Sequence, residues 1–259
     1  MQSLVKPGSQ AEQVGRLILA GFVVIALPSL PLGNLLVYPF MILTTWFHEM
    51  GHGMAALMLG QHFEELRIYD DGSGLALSSV DVDLSPFSQA MIAAGGPLAP
   101  TLIGSALIVA SAHEKLWRPT LWLMSGVIVA SVIIYVRTPV GFAVLPLTAL
   151  GIAAIAWKAS PGIVRFTLQF LGLLGAMSML RDFNYLFTEE GVIGGKRMLS
   201  DTGQMEAALL LPHWFWAAII LAVSAIMVGA SFKYALSERH RPKPKRPANV
   251  LQFRRGPDD

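Results

Sequence analysis

The chain predicts an all-α polytopic membrane protein of about seven transmembrane helices, six at the fewest, with a short β-hairpin after the second. Three observations carry that prediction. The 259 residues are 54% hydrophobic and 14% charged, against roughly 25% charged for an average soluble domain. Uncharged runs of spanning length recur along the chain, and two polar connections between them are long enough to hold structure. The expected organisation is one transmembrane domain over residues 1–236 and a basic, Pro-rich, disordered tail over 237–259.

The first element is the uncharged block from Leu17 to Phe47, whose apolar character continues to Leu59. At ~1.5 Å per residue the block to Leu59 is roughly twice the ~30 Å hydrocarbon core, so it crosses twice and turns near Pro31, Gly33 and Asn34. Leu17 to Leu30 reads as a retained helix rather than a secretory signal, because a long segment precedes it and no small-residue cleavage site follows. Next comes the polar connection His62 to Ser88. Within it, Glu64 to Tyr69, then Asp70-Asp71-Gly72-Ser73-Gly74, then Leu75-Ala76-Leu77 read as strand, turn, strand.

Uncharged runs then cover Gln89 to Ala112, Pro119 to Val136, Thr138 to Trp157, Phe166 to Leu180 and Ala207 to Phe232. Each has about the length of one crossing, although Arg137-Thr138-Pro139 is so short a break that its two flanking runs also fit a distorted hairpin. The second polar connection, Thr188 to Glu206, is separated from the first by four crossings. The two connections should therefore share one side. Lys115, Arg118, Lys158, Arg165 and the tail fall on the other side, which the positive-inside rule makes cytoplasmic. A multi-pass protein of the bacterial inner membrane with a cytoplasmic C-terminus is the expected localisation.

Seven of the 19 Lys and Arg lie in the last 23 residues. That tail has the charge to contact anionic lipid, at about 1 kcal/mol per basic residue, or to act as a solvated topology signal; no nucleic-acid role is expected. With no cysteine in the chain, disulfides, thiolate metal sites and thiol nucleophiles are excluded. Any metal must be held by His, Asp or Glu.

The chemistry centres on His48-Glu49-Met50-Gly51-His52, an HExxH sequence in the second crossing. On a helix, positions i and i+4 share a face, so both imidazoles reach one Zn²⁺ while Glu49 polarises a water. Two His and a Glu at membrane depth are costly unless paired, ligated or wetted, which raises the motif above a chance match. Catalytic zinc takes three protein ligands, so a third must come from elsewhere. Asp182, at the end of an apolar helix, is preferred because burial makes an unliganded carboxylate expensive. Asp201 is the alternative third ligand, with Ser200 and Asp201 both suited to cap a helix instead. Asn184 is a further polar candidate. His62, His113, His213 and His240 read as loop, interface and tail residues. Ala94-Gly95-Gly96-Pro97-Leu98 predicts a small-residue, proline-broken stretch that opens the bundle locally.

These residues together, namely the HExGH motif, the strand-turn-strand after it, Gly95-Gly96-Pro97-Leu98 and a late membrane-embedded Asp, resemble the site-2 protease family of intramembrane zinc metalloproteases. The resemblance covers roughly Pro39 to Val228 and is narrower still to a compact bacterial branch, in which Arg181-Asp182 ends a late helix and Ser200-Asp201 precedes a Trp-rich one. It implies His48 and His52 as zinc ligands, Glu49 as general base and a distant Asp as third ligand. It also implies a membrane-embedded protein substrate whose unwound segment adds as a strand beside the one that follows the motif helix. Neither Asp182 nor Asp201 carries the Asn-x-x-Pro and Leu-Asp-Gly surroundings of the better-studied members.

The function expected is therefore hydrolysis of a peptide bond in or near a substrate transmembrane segment, by a zinc-activated water with Glu49 as base. The alternatives are a polytopic metal-binding protein or transporter that cleaves nothing, and a pseudoprotease scaffold. A transporter would more often show internal repeats and ionisable residues along successive helices. An intact Glu49 argues against the scaffold.

Overall fold

The structure, a computed structural model, describes residues 33–80, 84–181 and 183–237, preceded by 15, 17–19, 21, 22, 26 and 30. The expected first crossing, Leu17 to Leu30, falls largely outside the described residues, as does the tail beyond Ser237. Where that crossing is described it is helical up to residue 26, and Gly21 lies against Leu173.

The motif occupies the first complete helix, α1 (Gly33–Met58). It stops where Gly60 turns to φ +79° and the Gln61 N–H closes back on the Ala56 carbonyl at 2.9 Å, a left-handed ending that glycine adopts without strain. Then β1 (His62–Ile68) and β2 (Gly74–Ser79) form the predicted antiparallel hairpin. Its turn is shaped by Asp71, whose Oδ1 accepts from the Ser73 N–H at 2.8 Å, and by Gly72 at φ +84°.

Four long helices follow: α2 (Pro86–Ser111), α3 (Trp117–Ile134), α4 (Pro139–Lys158) and α5 (Pro161–Arg181). Ser85 caps α2 by accepting from the Ser88 N–H, with Pro86 in the first turn where its missing N–H costs nothing. The one-turn helix α6 (Phe183–Leu186) leads to a second antiparallel hairpin, β3 (Glu190–Ile193) with β4 (Lys196–Leu199). The chain closes with the short α7 (Asp201–Leu209) and the long α8 (His213–Ala235).

Five helical segments, Pro86–Ser111, Glu114–Ile134, Pro139–Lys158, Pro161–Leu186 and His213–Ala235, are long and apolar enough to cross a membrane. The protein is a polytopic all-α membrane protein. Leu123, Ile133, Leu147, Leu150 and Ile226 are all more than 60% exposed, as lipid-facing side chains are when the surrounding solvent is hydrocarbon. The motif helix α1 has the length of a span but, carrying the polar motif, is not among the five.

Its apolar face, with Ile42, Leu43, Trp46 and Phe47 buried, packs into one core with Leu121, Ile128, Leu145 and Leu168. Trp46 donates its indole N–H to Ser131 Oγ at 2.8 Å, tying α1 to α3. The Arg137-Thr138-Pro139 break separates two full helices rather than a distorted pair. Val136 beside it forms a parallel bridge to Leu66, which fastens β1 to the bundle.

The glycine stretch departs from expectation. Helix α2 runs unbroken through Pro97 and Pro100, so Gly95-Gly96-Pro97 does not open the bundle. The glycines bring α2 onto α1: a Cβ on Gly95 would lie 2.7 Å from the Gly51 carbonyl oxygen, and one on Gly51 would strike the Gly95 carbonyl. Small residues let helix backbones approach closely in this way.

Candidate metal centre

On α1, His48 and His52 stand one turn apart with ring centroids 4.9 Å from each other. Their Nε2 atoms are separated by 3.2 Å. The Nδ1 of His52 lies 2.8 Å from the Ile92 carbonyl, which can only accept, so Nδ1 carries the proton and Nε2 of the neutral ring presents a lone pair. A carbonyl fixing one ring nitrogen so that the other is free is the usual support of a metal-ligating histidine. Gly96 makes room for that ring, since a Cβ there would overlap His52 Nε2.

A third group comes from 149 residues further along the chain. Ser200 takes the capping position of α7, its Oγ accepting from the Gly203 N–H at 3.0 Å and donating to the Thr188 carbonyl. Asp201 is thereby released from capping and turns into the bundle, where its side chain is 3% exposed. Its Oδ2 lies 3.0 Å from His48 Nε2 and its Oδ1 3.2 Å from His52 Nε2. Oδ2 is buried with no hydrogen-bond donor aimed at it.

The three residues form a group able to hold a metal ion. Ligands at ~2.0–2.1 Å from a tetrahedral Zn²⁺ stand about 3.3 Å apart. The two imidazole nitrogens here stand 3.2 Å apart and each has an Asp201 oxygen at 3.0–3.2 Å, Oδ2 for His48 and Oδ1 for His52, distances of that order, and two imidazoles with a carboxylate suit a zinc ion.

Of the residues expected from sequence, the structure therefore brings His48, His52 and Asp201 together, while Asp182 lies outside the described residues. Glu49 is buried beside them at 6% exposure, its carboxylate accepting from the Ala76 backbone N–H of β2. Gly74 allows that close approach, because a Cβ there would come within 2.6 Å of the Glu49 side chain. Asn184 is exposed and lines neither cavity. Its neighbour Tyr185, unremarked in the sequence, lines both.

Those cavities meet at the motif. The larger, about 520 Å³, is bounded by His48, Glu49, His52 and Asp201, by Gly74 to Ser78 of β2, and by Tyr185, Ile193, Met198, Leu199 and Gln204. The smaller, about 200 Å³, shares His48, Glu49, Gly74, Tyr185 and Ile193 and adds Thr45, Gly72, Ser73 and Val192. The other histidines stand apart. His113 bonds the Tyr234 hydroxyl at 3.0 Å, His213 pairs with Glu206, His62 begins β1 at the surface, and His240 lies outside the described residues.

The geometry brings together three side chains that could hold a metal ion, with a second carboxylate beside them, at the wall of a cleft in a membrane protein. The family model for Peptidase M50B-like proteins matches residues 17–231. Neither curated proteins nor solved structures give a match.

Proposed function

The chain belongs to the Peptidase M50B-like family of the site-2 proteases, and from that premise we propose that it is an intramembrane zinc endopeptidase with His48, His52 and Asp201 as the protein ligands and Glu49 as general base. The observation that carries this reading is the mutual 3.0–3.2 Å spacing of His48 Nε2, His52 Nε2 and the Asp201 carboxylate, with Glu49 on the same turn of α1.

With zinc held there, the site is supplied with a Lewis acid for the scissile carbonyl and a water of lowered pKa. The chain's own groups do the rest. Glu49, held by the Ala76 N–H, takes the proton from the attacking water and returns it to the leaving amine, so no base need arrive from solvent. The His52–Ile92 hydrogen bond keeps one imidazole in a single tautomer.

Strand β2 positions the substrate: Gly74 to Ser78 line the cleft in sequence, and an extended backbone segment adds to their edge. The substrate is a membrane-embedded protein whose helix unwinds locally to offer that segment. The five apolar helices around the site support a reading in which it works at the bilayer. The localisation we propose is the bacterial inner membrane with a cytoplasmic C-terminus, the basic tail over 237–259 being available to anionic lipid.

The experiment is elemental analysis and cleavage by wild-type and Glu49→Gln protein in detergent. The reading requires about one zinc per chain in both, with cleavage of a single-pass membrane substrate only by the wild type. Zinc in both and cleavage in neither would favour a metal-binding protein that hydrolyses nothing.

A further inference from the structure

One wall of the cleft is the edge of β2. The Leu66 N–H donates to the Tyr135 carbonyl at 2.8 Å and the Leu66 carbonyl accepts from the Arg137 N–H at 3.0 Å, so the backbone groups of Leu66 point away from β2. In an antiparallel ladder its partner Ala76 then points its own N–H and C=O away from β1. They face the cavity, where the N–H meets the Glu49 carboxylate, and among the described residues no strand pairs with that edge.

The opposite wall is the β3–β4 hairpin. Gly194 and Gly195, at φ +54° and +78°, join its strands in the two-residue turn that requires positive φ at both positions. Ile193 lines both cavities, Met198 the larger and Val192 the smaller. At its base, the Ser200 N–H is bonded to the Glu189 carbonyl at 2.8 Å. At its tip, the Gly194 N–H donates to Ser73 Oγ at 3.2 Å, and a Cβ on Gly194 would come within 2.5 Å of the Tyr69 ring. The hairpin thus bridges the cleft from the start of α7 to the β1–β2 turn.

We propose that the β3–β4 hairpin is the second wall of a two-sided peptide cleft, in which Ile193 and Met198 select a bulky, uncharged side chain next to the scissile bond. This rests on the peptidase reading and names the substrate class of that site. Apart from His48, Glu49, His52 and Asp201, no ionisable side chain among the described residues other than the Tyr185 phenol lines either cavity. A Lys or Asp carried against Ile193 and Met198 would be desolvated on walls that offer it no polar partner, while Leu or Phe would meet apolar surface.

The test uses the full chain in detergent with ten-residue peptides that are identical except for Leu, Ala or Lys at the positions flanking the cleaved bond. Wild-type protein should favour Leu over Ala by about tenfold or more in kcat/KM, the range one small apolar difference produces in a fitted pocket. Ile193→Ala and Met198→Ala should bring that preference within about threefold while zinc content stays unchanged. An unaltered preference in both variants overturns the proposal.

A second measurement does not depend on turnover. Glu49→Gln protein is irradiated with the Leu peptide carrying benzoylphenylalanine beside the Leu. Adducts on Ile193 or Met198 as well as on β2 support a second wall, and adducts confined to β2 or outside the cleft overturn it. Adducts on both walls with no cleavage by the wild type would support the wall and sink the peptidase reading.

Discussion

At the start of α7 the Asp201 carboxylate meets two imidazoles in a buried setting; five residues later on the same helix Glu206 meets one imidazole at the surface. Asp201 is 3% exposed and its partners 13% and 14%, whereas Glu206 and His213 are 36% and 25% exposed. Both groups pair a carboxylate with imidazole nitrogen at 2.7–3.2 Å. The difference lies in what satisfies them. Glu206 Oε2 accepts both the His213 backbone N–H and its Nδ1, each at 2.7 Å, which closes a local turn between α7 and α8. Asp201 Oδ2 has no hydrogen-bond donor. A buried carboxylate left in that state is costly, and a cation shared with the two imidazoles removes the cost. The same pair of residue types is a fastening where water reaches it and a candidate metal site where it is buried.

The strongest way to break the comparison is to delete each carboxylate in turn. Asp201→Ala should abolish cleavage and lower zinc affinity by more than the 10–100-fold that loss of a supporting partner costs, read by zinc titration. Glu206→Ala should leave zinc stoichiometry at wild-type level. Next in size is Glu49→Gln, which should cut the cleavage rate by about 10²–10⁴-fold, the range for a general base, while zinc is retained.

Gly96→Ala sharpens the comparison from the imidazole side. Its Cβ would overlap His52 Nε2, so zinc affinity should fall about 10–100-fold by displacement of a ligand ring. A normal affinity in that variant would show that His52 tolerates another position. Ser200→Ala removes the cap that frees Asp201 and should cost about 1 kcal/mol of stability in denaturant unfolding, with weaker zinc binding alongside.

The smallest effect separates the exposed pair by pH. The Glu206 carboxyl is held below its ordinary value of 4.5 by the His213 backbone N–H and then by its ring. A carboxylate with a depressed folded value contributes stability above its unfolded pKa and loses it as pH falls through the folded one. Wild type should therefore melt slightly higher than Glu206→Gln at pH 7, by no more than about 2 °C for so exposed a pair. That gap should narrow as pH falls below 4.5 and close as it passes through the depressed folded value. A gap that persists into acid would mean that Glu206 acts through packing rather than charge.

What the sequence revealed and what it hid divide along local and distant structure. The motif helix, the β1–β2 hairpin and the five apolar spans follow from spacing, turn residues and hydropathy within short windows, and each lies close to its expected place, except that the last span starts at His213 because Ala207 to Leu209 end α7. In the sequence Asp201 stands as the alternative third ligand and, because Ser200-Asp201 precedes a helix, equally as a cap. Its burial depends on α7 packing against α2, which carries the carboxylate to the α1 histidines, after a second hairpin that carried no strong local signal. Gly95-Gly96-Pro97 announced small residues without saying which partner they meet, and α1 proved to be the partner. Asn184 was considered for its amide, yet its neighbour Tyr185 lines the cleft, a one-residue difference in helical phase that sequence alone does not resolve.

The most direct test of the central claim is zinc per chain, by elemental analysis, in wild type, Asp201→Ala, Asp182→Ala and Glu206→Ala purified under one protocol. About one zinc in wild type, Asp182→Ala and Glu206→Ala, with almost none in Asp201→Ala, is the result predicted. Full zinc retained by Asp201→Ala and lost by Asp182→Ala would contradict it.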